Sequence, residues 1–122
     1  MLEMLLEPLI YEHCGAYAEE TLWAFNNLPH EKEILIDDED TKQAIGVVAY
    51  FYLERLDYDM IILIHKDNKP SLSQWKYLKK LLTNRDKEIR IQLIDNIDKI
   101  AKAASKYGGY LQDNVLVFPK DK

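Results

Sequence analysis

The sequence predicts an α/β fold, in the mixed-sheet (α+β) sense: a mixed, mostly antiparallel central sheet with helices on both faces. Three observations predict it. Stretches whose apolar residues fall near a 3.6-residue period are interleaved with short runs rich in β-branched and aromatic residues. The first half holds three strand-like runs in close succession, which suits hairpins. The second half runs strand, helix, strand, helix, strand, and a strand–helix–strand crossover within one sheet is parallel and right-handed. At 122 residues the chain fits one domain, residues 1–122.

The elements follow in order. Residues 2–6 are apolar between acids and end at Pro8, which suits either a short strand or a helical lead-in. Residues 10–28 read as one helix, with Ile10, Cys14, Tyr17, Thr21, Phe25 and Leu28 on one stripe and Leu22 and Trp23 widening it. Pro29 ends it. Ile34-Leu35-Ile36 suits a strand, and Asp37–Lys42 a polar turn. Residues 44–55 form a long strand in which Gly46 marks a bulge or a close approach. Residues 56–59 turn the chain into a central strand over Met60–His65, apolar on both faces. Ser71 with Gln74 fits a capping box that opens a helix with Leu72, Trp75, Leu78, Leu81 and Leu82 inward and Lys76, Lys79 and Lys80 outward. Residues 88–94 alternate as a strand. Asp95 or Asn96 caps a helix through Lys106, stopped by Gly108-Gly109. Tyr110–Phe118 is a final strand, kinked or folded into a hairpin at Gln112-Asp113-Asn114.

Composition excludes several classes. Apolar runs are too short to span a bilayer, and the acidic start lacks a basic n-region. A single cysteine excludes an internal disulfide framework and a cysteine-based zinc site. A cytoplasmic setting is expected. The net charge is −5, unevenly spread. Residues 1–65 carry 14 acids against 3 bases, residues 66–90 carry 8 bases against 3 acids, and residues 91–122 carry 5 bases against 4 acids. A basic segment in an acidic chain suits an anion or an acidic surface, or simply a solvated helix face. The acidic remainder disfavours nucleic acid.

The second half carries a resemblance. Ile91-Gln92-Leu93-Ile94-Asp95-Asn96, the helix from Ile97 to Lys106, and Tyr107-Gly108-Gly109-Tyr110 resemble the strand, Asn-led helix and Gly-aromatic step of the GNAT family, the acyl-CoA-dependent N-acetyltransferases. Met60–His65 with the helix from Ser71 is similar to that family's cofactor-binding strand and helix, and Glu33–Arg55 to its preceding hairpin. The resemblance implies a GNAT-like sandwich. If acetyl-CoA binds, it implies contacts from Ile62, Leu63 and Ile64, phosphate contacts from Lys66, Lys69 and the Ser71 hydroxyl, and a split between the central strand and residues 88–94. Two features depart from the family. The loop His65–Ser71 has no glycine, Pro70 removes a backbone donor, and Asp67 repels phosphate. The family's tyrosine acid, midway along the last helix, is matched by Ala104 or Ser105, with Tyr107 nearby in the turn. Short GNAT-like proteins with a degraded loop are similar to some phage proteins, internal virion proteins of short-tailed phages among them.

Individual residues add little decisive chemistry. Glu54, Glu12 and His65 are the candidate bases for an amine acceptor, and Tyr107 the candidate acid. A solvated carboxylate and a capping histidine are the ordinary roles of such residues. His13 and His30 lack metal-ligand spacing, Asp37–Asp40 lacks the glycine of a calcium loop, and no metal site is expected. Cys14 reads as packed core. Tyr50 and Tyr52 share a strand face, as core or as a partner surface.

The sequence therefore predicts a divergent, phage-derived and non-catalytic GNAT-fold protein. It would act as a virion-assembly or interaction module with protein partners or as a homo-oligomer, with no cofactor. The competing expectation is an acetyl-CoA-dependent N-acetyltransferase acting on a cationic amine. The third is a small inhibitor of a host factor.

Overall fold

The computed structural model describes residues 2–36, 43–67, 69–83, 85–92, 97–113 and 115–120. The elements are α1 (Leu2–Cys14), α2 (Ala18–Asn27), β1 (His30–Ile36), β2 (Ala44–Phe51), β3 (Tyr58–His65), α3 (Leu72–Leu82), β4 (Glu88–Gln92), α4 (Ile97–Ala104), β5 (Tyr110–Gln112) and β6 (Val115–Phe118). The six strands form one sheet in the order β1-β2-β3-β4-β6-β5. Its pairs are antiparallel except β3 with β4, which the α3 crossover joins in parallel. The predicted mixed, mostly antiparallel sheet is the observed one.

Strand alternation divides the interior into two cores. Val47, Ala49, Phe51 and Ile64 face α1 and α2, where Leu6, Leu9, Ile10, Ala18, Leu22 and Phe25 cover them. Val48, Tyr50, Ile61, Ile89, Ile91, Leu116 and Phe118 face α3 and α4, under Leu78, Leu82, Ile100 and Ala104.

Of the two readings of residues 2–6, the helical one is observed: they belong to α1, which runs on through Pro8 rather than ending there. An interior proline forfeits a backbone bond and costs about 3 kcal/mol. The stripe Leu6, Leu9, Ile10, Cys14, all nearly inaccessible, supplies burial that offsets it. The stretch 10–28 is not one helix: Gly15, at φ +53°, begins a 3₁₀ turn over Gly15–Tyr17 that separates α1 from α2. This break rotates the stripe, so Tyr17 and Trp23 are exposed rather than packed.

Smaller differences concern ends. β2 stops at Phe51 and β3 begins at Tyr58, so Asp59 is a buried strand residue, not part of a turn. Pairing of Leu35 with Gly46 and of Ile36 with Ala44 leaves Ile45 as an extra residue, a bulge beside Gly46. Gly46 is also a close approach, since a Cβ there would lie 2.8 Å from the Gln74 amide nitrogen. The capping box of α3 is present as predicted, while Leu72 is exposed rather than inward. Tyr110–Phe118 is a hairpin with Asp113 at φ +50°, a conformation suited to a two-residue turn. The predicted turn Asp37–Lys42, the strand end Leu93-Ile94 and the cap Asp95 or Asn96 lie outside the described residues.

Candidate functional site

The parallel β3–β4 ladder pairs Tyr58 with Glu88 through Ile61 with Ile91. Among the described residues the ladder ends there, a divergence of β3 from β4. Gln92 pairs with Val115 of β6, while β3 continues for four more residues to His65. Over this divergence lies a cleft of about 260 Å³ between α3 and α4. Leu63, Ile91, Leu116 and Phe118 form its floor. Trp75, Leu78 and Leu82 from α3 make one wall, Ile100 and Ala104 from α4 the other. Lys76, Lys79, Lys106 and Tyr107 border it, all exposed. Lysines in such positions lay their aliphatic stems along apolar walls and keep the ammonium in water.

The backbone of β3 is oriented at the divergence. The Lys66 N–H donates to the Ile45 carbonyl at 2.9 Å, so the residue at 66 points its backbone groups toward β2. Antiparallel alternation gives Ile64 and Ile62 the same direction, and sends those of Leu63 and His65 to the opposite edge. Of the three predicted strand contacts, Leu63 thus presents its N–H to the divergence and its side chain to the cleft floor.

The loop before α3 is organised around its own helix cap. The Gln74 N–H donates to the Ser71 hydroxyl at 3.2 Å, and the Ser71 N–H donates to the Gln74 side-chain oxygen at 3.0 Å. The Gln74 amide nitrogen donates to the Ile64 carbonyl at 2.9 Å, and the residue is 1% exposed. Ser71 Oγ is also 3.1 Å from Ser73 Oγ. Two backbone donors that an anion at this helix end would use are therefore already engaged. Lys66 and Lys69 are exposed on the loop.

The candidate catalytic residues are dispersed. Glu54 lies in the turn between β2 and β3, exposed, at the end of β3 opposite the divergence. Glu54 does not line the cleft. Glu12 is exposed on α1, on the other face of the sheet. His65 closes β3. Its Nδ1 accepts the Asp67 N–H at 3.1 Å, which assigns the ring proton to Nε2. Burial lowers its pKa and outweighs the opposing Asp67 carboxylate, which lies 3.7 Å away. Its imidazole is neutral near pH 7. Tyr107 stands in the 3₁₀ turn after α4 and borders the cleft, 42% exposed. Ala104 lines the cleft, and the Ser105 hydroxyl is bonded to the Lys102 carbonyl. Cys14 is buried in the α1–α2 core, where burial raises its pKa.

Sequence reading placed Lys76 and Lys79 on the outer face of α3, whereas both border the cleft. The available signal was their i, i+3 spacing along one edge of the Trp75–Leu78 stripe. Among the described residues, no three His, Cys, Asp or Glu side chains gather as a metal site, and no helix is long and apolar enough to cross a membrane.

No family model matches the chain, and no curated protein matches it significantly. Among solved structures it is similar to Tetrahymena GCN5, with a TM-score of 0.60 over 98% of this chain and 87% of that one, at 11% identity. At that identity the likeness is one of fold, and the fold is GNAT-like.

Proposed function

We propose that the domain binds an acyl-CoA in the α3–α4 cleft and transfers the acyl group to an amine. One observation carries this reading: β3 outruns its ladder with β4 at Ile61–Ile91, directly beneath an apolar cleft bordered by cations. Apolar walls suit an acyl-pantetheine arm, and a bordering set of lysines suits its phosphates. The likeness of fold to a GNAT protein supports the same reading.

Acyl-CoA brings the activated thioester. The chain's own residues then have three tasks. The outward N–H of Leu63 holds the thioester oxygen as charge develops on it. The cleft walls fix the arm, so that the amine attacks from a bound position. The acceptor's ammonium loses one proton to water before attack, the Tyr107 hydroxyl gives its proton to the departing thiolate, and the proton shed by the new amide nitrogen restores the tyrosine through water. The net charge of −5 attracts a cationic acceptor such as a polyamine to the molecule at long range.

A second reading is a non-catalytic interaction module, with phage assembly as its setting. The occupied helix cap at Ser71 and Gln74 and the glycine-free loop favour it. Calorimetric titration with acetyl-CoA and CoA separates the two. Micromolar binding, followed by thiol release when spermidine is added, is the expected result. No heat at millimolar ligand would overturn the enzyme reading and leave the scaffold as a surface for protein partners.

A further inference from the structure

We propose that this cleft anchors the phosphates of its ligand through Lys76, Lys79 and Lys106 at its mouth, and not through the N-terminus of α3. The inference rests on the acyl-CoA reading and specifies the anion site within it. Three observations point to it.

The N-terminus of α3 is partly occupied by its own cap. Ser71 and Gln74 satisfy each other's backbone N–H groups, and the remaining amide of Gln74 is spent on the Ile64 carbonyl. Opening this cap would strand a 1%-exposed side chain. Pro70 offers no N–H, and the Asp67 carboxylate lies beside the loop.

The lysines at the cleft mouth are available. In the basic stretch, Arg85 is committed to the carbonyls of Leu82 and Pro119, Lys87 to Asp59 and Leu53, and Arg90 to Glu88. Among the described residues, Lys76, Lys79 and Lys106 take part in no ion pair. Lys76 and Lys79 are i, i+3 neighbours on one helix, close enough to share one anion. Lys106, in the turn after α4, lines the same cleft.

The cleft also joins the two chemistries a phosphorylated acyl carrier presents. Its floor is aliphatic and aromatic, and three cations stand within one mouth. Lys80, on the same helix, does not line the cleft and provides an internal control.

The test titrates the full chain with CoA and with pantetheine, which lacks the phosphates. CoA is expected to bind more tightly than pantetheine. Lys76→Ala with Lys79→Ala should weaken CoA by about tenfold or more, the loss expected for charge-assisted contacts. Lys106→Ala should weaken it by a smaller factor, and pantetheine should change by less than about twofold. Lys80→Ala and the pair Lys66→Ala with Lys69→Ala should leave CoA within about twofold. All these positions are exposed, and circular dichroism confirms that each variant folds. If the Lys66/Lys69 pair lowers CoA affinity while the Lys76/Lys79 pair does not, the phosphates sit at the helix end and this inference fails alone. Equal affinity for CoA and pantetheine also overturns it while sparing the cleft. Wild-type protein that binds neither ligand overturns the acyl-CoA reading itself.

Discussion

Asp59 lies on β3 with 4% of its surface exposed, where an unpartnered carboxylate would cost several kcal/mol. Three donors satisfy it: the Tyr50 hydroxyl at 2.5 Å, the Leu53 N–H at 2.8 Å and the Lys87 ammonium at 2.9 Å. Burial alone would raise its pKa, but these bonds outweigh burial and lower it. Burial first, and then the bond to Asp59, push the Tyr50 phenol well above the usual tyrosine range. A carboxylate whose folded pKa is depressed stabilises the fold above its unfolded value of about 4 and loses that contribution as pH falls through the folded value. Asp59→Asn is therefore expected to cost about 1–3 kcal/mol at pH 7, and to flatten the loss of stability as pH falls below about 4. Urea unfolding of both proteins across that range measures it; parallel pH profiles would show that Asp59 titrates no differently folded than unfolded. None of this was legible in the sequence. Asp59 reads as a turn residue because its neighbours are polar, and its partner Lys87 lies 28 positions away.

The step from α4 into β5 is set by two glycines with different duties. Gly108 takes φ +83°, and its N–H and that of Gly109 donate to the Ser105 and Ala104 carbonyls, a Schellman closure. Gly109 is needed for space: a Cβ there would lie 2.6 Å from the Phe118 ring. Phe118 is part of the cleft floor, so the glycine indirectly keeps the cleft open. Gly109→Ala should displace that ring, cost about 1–3 kcal/mol by overpacking, and weaken ligand binding. Thermal unfolding and CoA titration of the variant check both; an unchanged Tm would mean the ring moves aside freely. Local chemistry of this kind is what sequence reading recovers. The Gly pair and the Ser71–Gln74 box are complete within a few residues, and both are present. The break at Gly15 was hidden because apolar spacing continues through it on either side. The start of α1 was hidden by reading Pro8 as a stop, although Leu6, Leu9, Ile10 and Cys14 already traced a helical stripe. The cleft was only half legible: a split between the central strand and residues 88–94 was implied by the family resemblance, whereas its bordering lysines depend on the rotation of α3 against the sheet.

At the scale of the whole molecule, the charge asymmetry along the chain becomes an asymmetry across the sheet. Exposed acids of α1 and α2, among them Glu7, Glu12, Glu19 and Glu20, lie on one face, and the exposed lysines of α3 and α4 on the other. The two faces carry separate cores, yet the cores share strands. Val47, Ala49 and Phe51 serve one side and Val48 and Tyr50 the other, on the single strand β2, and β3 divides likewise between Ile64 and Ile61. Neither core can lose its strands without exposing the other. Stripping α3 and α4 away would uncover Ile61, Ile89, Ile91, Leu116 and Phe118 together, at roughly 1.5–3 kcal/mol per side chain. That sum exceeds the few kcal/mol of net stability a small domain commands, so half-folded states are too costly to populate. Unfolding in urea should then be one transition. Methyl resonances of Ile10 and Val47, which report the α1–α2 core, should vanish at the same denaturant concentration as those of Leu78 and Ile100, which report the α3–α4 core. Midpoints that separate, with the α3–α4 signals lost first, would show that the cleft side opens as its own unit. A saturating cleft ligand should then draw the two midpoints back together, because it stabilises the state it binds.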